Sequence, residues 1–118
     1  KGRQGLYNTG EFKGYYITNG KAIEIEGMPF GVANKCAIAQ RKDGVVLFLV
    51  LDGENYIGGA SLREMISVLQ KYGAYNAANL DGGHSSSLAV NGKLYNNPPS
   101  VAKKQGGRYV VTGFGLLS

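Results

Sequence analysis

Cysteine, histidine and long apolar runs are scarce in this chain of 118 residues. Cys36 is the only cysteine, which excludes a disulfide within the chain, and its setting in KCAIA is typical of a small buried apolar residue. One histidine, one cysteine and no cluster of carboxylates give metal binding little support, so neither a metal nor another cofactor is expected. The longest apolar run, VVLFLVL (45–51), is far too short to cross a bilayer.

Positive charge exceeds negative charge but is not concentrated. Thirteen Lys and Arg against eight Asp and Glu give a net charge of +5, which leaves anionic partners open. The densest basic cluster is Lys103, Lys104 and Arg108, and no basic run is interleaved with aromatic residues, so nucleic acid is not the expected partner. No signal peptide is recognisable, although a mature chain would already have lost one.

Three turn signals separate segments that favour β-strands. The Asn-Gly pairs in YYITNGKAIEIE (15–26) and SLAVNGKLY (87–95) each predict a tight β-hairpin. The segments 35–40 and 45–52 flank a third turn at Asp43-Gly44. Because 45–52 is apolar on both faces, we expect a central strand that is covered on both sides.

One helix is predicted between these hairpins. Ser61 and Glu64 have the spacing of a capping box, and Gly73 suits the left-handed residue beyond the helix. The apolar stripe expected between them consists of Leu62, Met65, Ile66, Leu69 and Tyr72. YNAANL (75–80) and RYVVTGFGLL (108–117) are predicted as strands. Together with nineteen glycines, these elements predict an α+β fold, with a mixed, mostly antiparallel sheet of seven or eight strands and one main helix packed on it.

The run LDGGHSS places an aspartate, two glycines, the only histidine and two serines directly after a predicted strand. Gly82 and Gly83 allow backbone angles that are closed to other residues, so amide N–H groups can converge on an anion. Ser85 and Ser86 add hydroxyl donors, and the Asp81 carboxylate beside such a cradle suits chemistry on a phosphate-bearing substrate. Taken alone, the run is also compatible with an ordinary turn in which Asp81 bonds its own backbone.

Three further residues are candidates for the same site. Asp52 follows an apolar strand and, near Asp81, would complete the acid and base pair that glycosidic cleavage needs; the alternative is that it caps the next loop. His84 is a residue type that can shuttle protons. Arg108 offers the planar fork suited to a phosphodiester, or is an ordinary surface arginine. Some of the eight tyrosines are candidate platforms for stacking a sugar, although most are expected to be half-buried strand residues.

Residues 46–93 resemble the phosphodiester glycosidase family. An apolar strand ending in Asp-Gly, a capped helix, a strand, LDGG followed by two serines, and an Asn-Gly-Lys hairpin occur in the family's order. The resemblance extends from about Tyr15 to Leu117, and it implies that Asp52 and Asp81 are the acidic positions of the site. The loop and arginine positions implied in the same way are Gly82, Gly83, Ser85, Ser86 and Arg108.

The resemblance implies hydrolysis of a sugar-1-phosphodiester, of the N-acetylglucosamine-1-phosphodiester type, in glycoconjugates or cell-envelope polymers. It assigns Asp81 as nucleophile or base at the anomeric carbon, Asp52 as the orienting or protonating group, and the loop with Arg108 as the phosphate holder. His84 is added as a candidate for proton transfer. An extracellular or cell-envelope setting and a glycan or sugar-phosphate substrate follow from the same resemblance. The alternatives are a non-catalytic carbohydrate- or phosphate-binding module and a structural domain of a larger surface or phage-tail protein.

The chain departs from the family pattern at three places. His84 stands where the family's loop usually has a third glycine, and Lys35 stands where an arginine is usual. An earlier Asn-Gly-Gly-aromatic segment of the family has only a faint echo here in YNTGEF (7–12). We therefore expect residues 1–118 to form a single domain that is the C-terminal portion of a family domain, completed by an N-terminal fragment or a second chain.

Overall fold

The computed structural model describes residues 15–23, 31–53, 58–96, 110 and 113–117, which form a five-stranded sheet, a separate two-stranded hairpin and one helix. The strands are β1 (Tyr15–Thr18), β2 (Lys21–Ala22), β3 (Lys35–Arg41), β4 (Val46–Leu51), β5 (Ala74–Asn79), β6 (Ala89–Val90) and β7 (Lys93–Leu94). The helix is α1 (Leu62–Lys71). These seven strands and one helix confirm the predicted α+β class, although every strand pair in the described part is antiparallel.

Both Asn-Gly pairs form the predicted turns. Asn19 and Gly20 have φ of 51° and 77° between β1 and β2, and Asn91 and Gly92 have φ of 50° and 76° between β6 and β7. Positive φ at both central positions gives the turn twist that matches paired antiparallel strands. The third turn joins β3 to β4, with φ of 92° at Gly44. The local turn chemistry therefore sets all three strand pairings as predicted.

The five-stranded sheet has the order β2-β1-β5-β3-β4. Ala37 in β3 lies opposite Leu49 of β4 on one side and opposite Asn79 of β5 on the other. Since both pairings are antiparallel, β4 and β5 run in the same direction and end at one sheet edge, where β3 begins. Both predicted aspartates follow strands that end at this edge.

The position of β4 differs from the prediction. In the described sheet β4 pairs with β3 alone and is therefore an edge strand. The prediction that β4 is a central strand is wrong for this sheet. Leu47, Leu49 and Leu51 pack against the core, while Val46 on the opposite face is exposed. Apolar residues on both faces indicate that a strand is covered above and below. They do not determine whether another strand pairs with it on each side.

Helix α1 covers one face of the sheet and begins with the predicted capping box. Glu64 N donates to Ser61 Oγ at 3.2 Å, and Ser61 N donates to Glu64 Oε2 at 2.8 Å. The hydrogen bond from Ser61 N, followed by that from its hydroxyl, lowers the pKa of Glu64. Gly73 has φ of 82° just beyond the helix, as expected. The helix and the sheet both contribute to the buried core, which consists of Ile17, Ala37, Ala39, Leu62, Met65, Ile66, Leu69, Ala74 and Ala77.

Two further predictions need correction. Tyr72 does not belong to the apolar stripe, because the helix ends at Lys71 and the Tyr72 side chain is 63% exposed. Of the predicted strand over 108–117, residues 110 and 113–117 are described and form no strand, while residues 108, 109, 111 and 112 lie outside the described residues.

No helix in the described ranges has the length and apolar character needed to span a membrane.

Candidate functional site

The sheet edge where β4 and β5 end brings two predicted carboxylates to the same side of the molecule. Asp52 directly follows β4, and Asp81 follows β5 after Leu80. Leu80 N donates to Cys36 O at 2.7 Å, which keeps this segment attached to β3 beyond the end of β5. Because neighbouring strands lie about 4.8 Å apart, β4 and β5 are separated by about 10 Å across β3.

The loop after Asp81 contains a short element of regular structure, a 3₁₀ turn formed by Gly83–Ser85. Gly83 N donates to Asn34 O at 2.8 Å, Ser85 N to Gly82 O at 3.1 Å and Ser86 N to Gly83 O at 3.2 Å. These three amides are satisfied within the protein, so they do not form the open anion cradle that the two glycines suggested. The geometry shows a loop that is held against the start of β3.

A glycine is required at position 82 because the loop passes close to the backbone of Asn34, just before β3. Its φ of −106° is open to any residue, but a Cβ at this position would lie 2.8 Å from Asn34 O. That atom is part of the backbone and cannot move aside as the end of a flexible side chain can. The absence of a side chain at Gly82 therefore lets the loop contact the segment before β3.

Asn34, which the sequence analysis missed, joins Asp52 to the loop. Its Nδ2 donates to Asp52 Oδ1 at 3.0 Å, and its Oδ1 accepts from Gly53 N at 3.0 Å. Its backbone oxygen is the one that accepts from Gly83 N. Asn34 is buried, so its side chain holds Asp52 from inside the fold.

Asn96, which was also missed, makes a second connection between the same two regions. Its Nδ2 donates to Asp52 Oδ1 at 3.1 Å and to Ser86 O at 2.8 Å. Its Oδ1 accepts from Leu88 N at 2.6 Å. The sequence signal that was available is position, since Asn34 precedes β3 and Asn96 follows the second hairpin, both next to predicted strand ends.

The remaining loop residues differ in exposure. Ser86 is completely buried (0% exposed), Ser85 is half-buried and His84 is exposed. Within the described ranges, the buried atoms Ser86 Oγ and Asn79 Oδ1 have no hydrogen-bond partner. Arg108 lies outside the described residues.

The surroundings at this end of the sheet shift the pKa values of Cys36 and Lys35. Burial, followed by the negative charge of Asp81, raises the pKa of the Cys36 thiol to about 11. Leu80, the residue before Asp81, is hydrogen-bonded to the Cys36 backbone (Leu80 N to Cys36 O, 2.7 Å), so Asp81 and Cys36 lie on neighbouring segments. Burial lowers the pKa of Lys35, whose Nζ donates to Ala33 O at 3.2 Å. No three His, Cys, Asp or Glu side chains in the described part of the chain are grouped as metal ligands.

Alkylation of Cys36 tests where the Asp81 carboxylate lies. Because the pKa is about 11, thiolate is scarce at pH 8, and alkylation by iodoacetamide should be slow. The rate should rise about tenfold per pH unit below the pKa, in step with the thiolate fraction. Asp81→Asn should lower the pKa and speed the reaction at fixed pH, whereas Asp43→Asn, at the opposite sheet edge, should not. Equal rates for wild type and Asp81→Asn would show that the two side chains are not neighbours.

The fold and the site define an α+β domain with hydrogen-bonded carboxylate and amide side chains at one sheet edge. The sequence model of the family described as phosphodiester glycosidase matches residues 2–117. The chain therefore belongs to the phosphodiester glycosidase family, as its resemblance implied.

Individual relatives match parts of the chain. It is 42% identical over 62 residues to an uncharacterized protein derived from the SPbeta prophage of Bacillus subtilis (strain 168), covering 52% of this chain and 10% of that protein. It is 34% identical over 67 residues to N-acetylglucosamine-1-phosphodiester alpha-N-acetylglucosaminidase of Bos taurus, covering 57% of this chain and 13% of that protein. A solved structure of a hypothetical protein from Synechocystis matches with a TM-score of 0.58 and 36% identity, covering 70% of this chain and 17% of that chain. The chain thus spans less than a fifth of each of these proteins.

Proposed function

We propose that this chain carries the acidic residues of a site that hydrolyses sugar-1-phosphodiesters of the N-acetylglucosamine-1-phosphodiester type. Membership of the phosphodiester glycosidase family supports this reaction class. The observation that carries the proposal is the hydrogen bonding of Asp52 by Asn34 and Asn96, which fixes a carboxylate beside the loop that follows Asp81.

In the proposed reaction, water adds to the anomeric carbon of the sugar and the bond from that carbon to the phosphate oxygen breaks. The products are the free sugar and a phosphomonoester. Asp81 acts at the anomeric carbon, either as the nucleophile or as the base that takes a proton from water. Asp52 orients the reacting groups or protonates the leaving oxygen.

The phosphate is assigned to Arg108 together with the loop of residues 82–86. Since three amides of this loop donate within the protein, we assign its contribution mainly to shape, and we assign the charge to Arg108. His84 is the exposed residue of this loop, a position suited to proton transfer with solvent.

We further propose that the substrates are glycoconjugates or phosphate-linked polymers in an extracellular or cell-envelope setting. The net charge of +5 suits an anionic polymer. We further propose that the rest of the site comes from an N-terminal segment or a second chain.

The test uses the full-length protein, with an N-acetylglucosamine-1-phosphodiester as substrate. We expect repeated turnover, measured as more than one N-acetylglucosamine released per protein molecule. Asp81→Asn serves as the matched inactive control. Binding by calorimetry without release of sugar would identify a non-catalytic binding module instead. If the protein neither binds this compound nor releases sugar from it, the result would indicate a structural domain.

A further inference from the structure

We propose that Asn96 is a positioning residue that fixes Asp52, the loop of residues 82–86 and the β6–β7 hairpin relative to one another. Its role in catalysis rests on the proposed function. Asn96 contacts these regions through Asp52, which lies 44 residues earlier in the chain, and through Ser86 and Leu88, which lie 10 and 8 residues earlier.

The orientation of the Asn96 amide is fixed by its partners. Its Oδ1 must face Leu88 N, a backbone donor at 2.6 Å. Its Nδ2 then faces two acceptors, Asp52 Oδ1 at 3.1 Å and Ser86 O at 2.8 Å. An asparagine amide has two N–H donors and one carbonyl oxygen, so this arrangement uses both donors. No aliphatic or acidic side chain of this length supplies the same set.

Asp52 is held from two sides. Its Oδ1 accepts from Asn34, which precedes β3, and from Asn96, which follows β7. Rotation of the carboxylate would therefore weaken hydrogen bonds to two different parts of the fold. Asn34 ties Asp52 to the main sheet, and Asn96 ties it to the hairpin.

The β6–β7 hairpin depends on this connection. Its strands have two residues each and are exposed, and an isolated hairpin has little stability of its own in water. Tyr95 N donates to Leu88 O at 2.8 Å, so the base of the hairpin is closed just beside Asn96. The positions of the hairpin and of Asp52 are thereby coupled through one side chain.

Asn96→Asp is the sharpest test of this coupling in the full-length protein. Aspartate keeps the size of the side chain and an oxygen for Leu88 N, but it removes both donors and places a like charge beside Asp52. A displacement of about 1 Å at a catalytic group can cost about 10²-fold, so we expect kcat to fall by about that factor with little change in KM. A merely structural role would lower the melting temperature and leave the kcat of the folded fraction unchanged.

Asn76→Asp is the matched control. The Asn76 Oδ1 accepts from Asn19 N at 3.1 Å at the β1–β2 turn, so the same chemical change is made at another hairpin, away from Asp52. We expect normal kcat for Asn76→Asp. The effect of Asn96→Asp should also shrink to within about threefold when Asp52 is already asparagine, because interacting residues are not additive. Normal kcat in Asn96→Asp, or a full loss in the Asp52→Asn background, would overturn the proposal.

Hydrogen exchange separates this proposal from the proposed function. If the wild-type protein does not hydrolyse the substrate, the proposed reaction fails, but the positioning role is still measurable. Asn96→Asp and Asn96→Ala should then speed amide exchange over residues 82–88 by about tenfold or more, since exchange reports local opening, and Asn76→Asp should not. Unchanged exchange over residues 82–88 would show that Asn96 does not hold the loop.

Discussion

Replacement of Asp81 by asparagine is expected to lower kcat by about 10²–10⁴-fold, the usual cost of losing a general acid or base, and by at least as much if Asp81 is the nucleophile. Asparagine keeps the size and a hydrogen-bond acceptor but removes the charge that stabilises an oxocarbenium-like transition state. The melting temperature should change little, because the amide can still accept backbone hydrogen bonds. The measurement is kcat and thermal stability in the full-length protein.

Two variants separate catalysis from charge and from substrate binding. Asp43→Asn removes an aspartate from an exposed turn, where its Oδ2 contacts Arg41 Nη2 at 2.6 Å, and it should leave kcat unchanged. Arg108→Ala should act mainly through the phosphate and raise KM, with a smaller effect on kcat. If Asp81→Asn keeps nearly normal kcat, or loses activity only by unfolding, Asp81 is a turn residue and the site assignment fails.

The features that were predicted correctly depend on neighbours in the sequence. The capping box of Ser61 and Glu64 needs a spacing of three residues, and the Asn19-Gly20 turn needs only two adjacent residues that accept positive φ. Asp52 and Asp81 each follow a strand, and antiparallel pairing through β3 brings the ends of both strands to the same side of the sheet, while their roles in the site stay predictions. These conditions are visible before the chain folds.

The features that were missed depend on residues that are distant in the sequence. Asn34 and Asn96 bond Asp52 across separations of 18 and 44 residues, and no local pattern marks an asparagine as the partner of a distant carboxylate. The amide of Gly83, expected to face an anion, instead donates to Asn34 O, and Gly83–Ser85 form a 3₁₀ turn. The edge position of β4 in the described sheet likewise follows from strand order, which local patterns do not contain.

Gly59→Ala is expected to be among the most destabilising single substitutions in the described fold. Gly59 has φ of 116°, and a Cβ there would collide with the carbonyl of Ala33 and lie 2.6 Å from Asn34 N. Gly59 also adjoins an antiparallel bridge, in which Ala60 N donates to Ala33 O at 2.9 Å. This bridge joins the start of α1 to the segment that carries Asn34, so the collision would separate the helix from the site.

We expect Gly59→Ala to lower the free energy of unfolding by about 3–5 kcal/mol, because backbone strain and overpacking each cost about 1–3 kcal/mol. A loss of that size should lower the melting temperature by about 10 °C or more. Gly58→Ala is the matched control, since Gly58 has φ of 90° but no atom within 4 Å of the added Cβ. It should show the cost of strain alone. Thermal unfolding of both variants gives the difference, and equal shifts would mean that the close approach of Gly59 to Ala33 does not stabilise the fold.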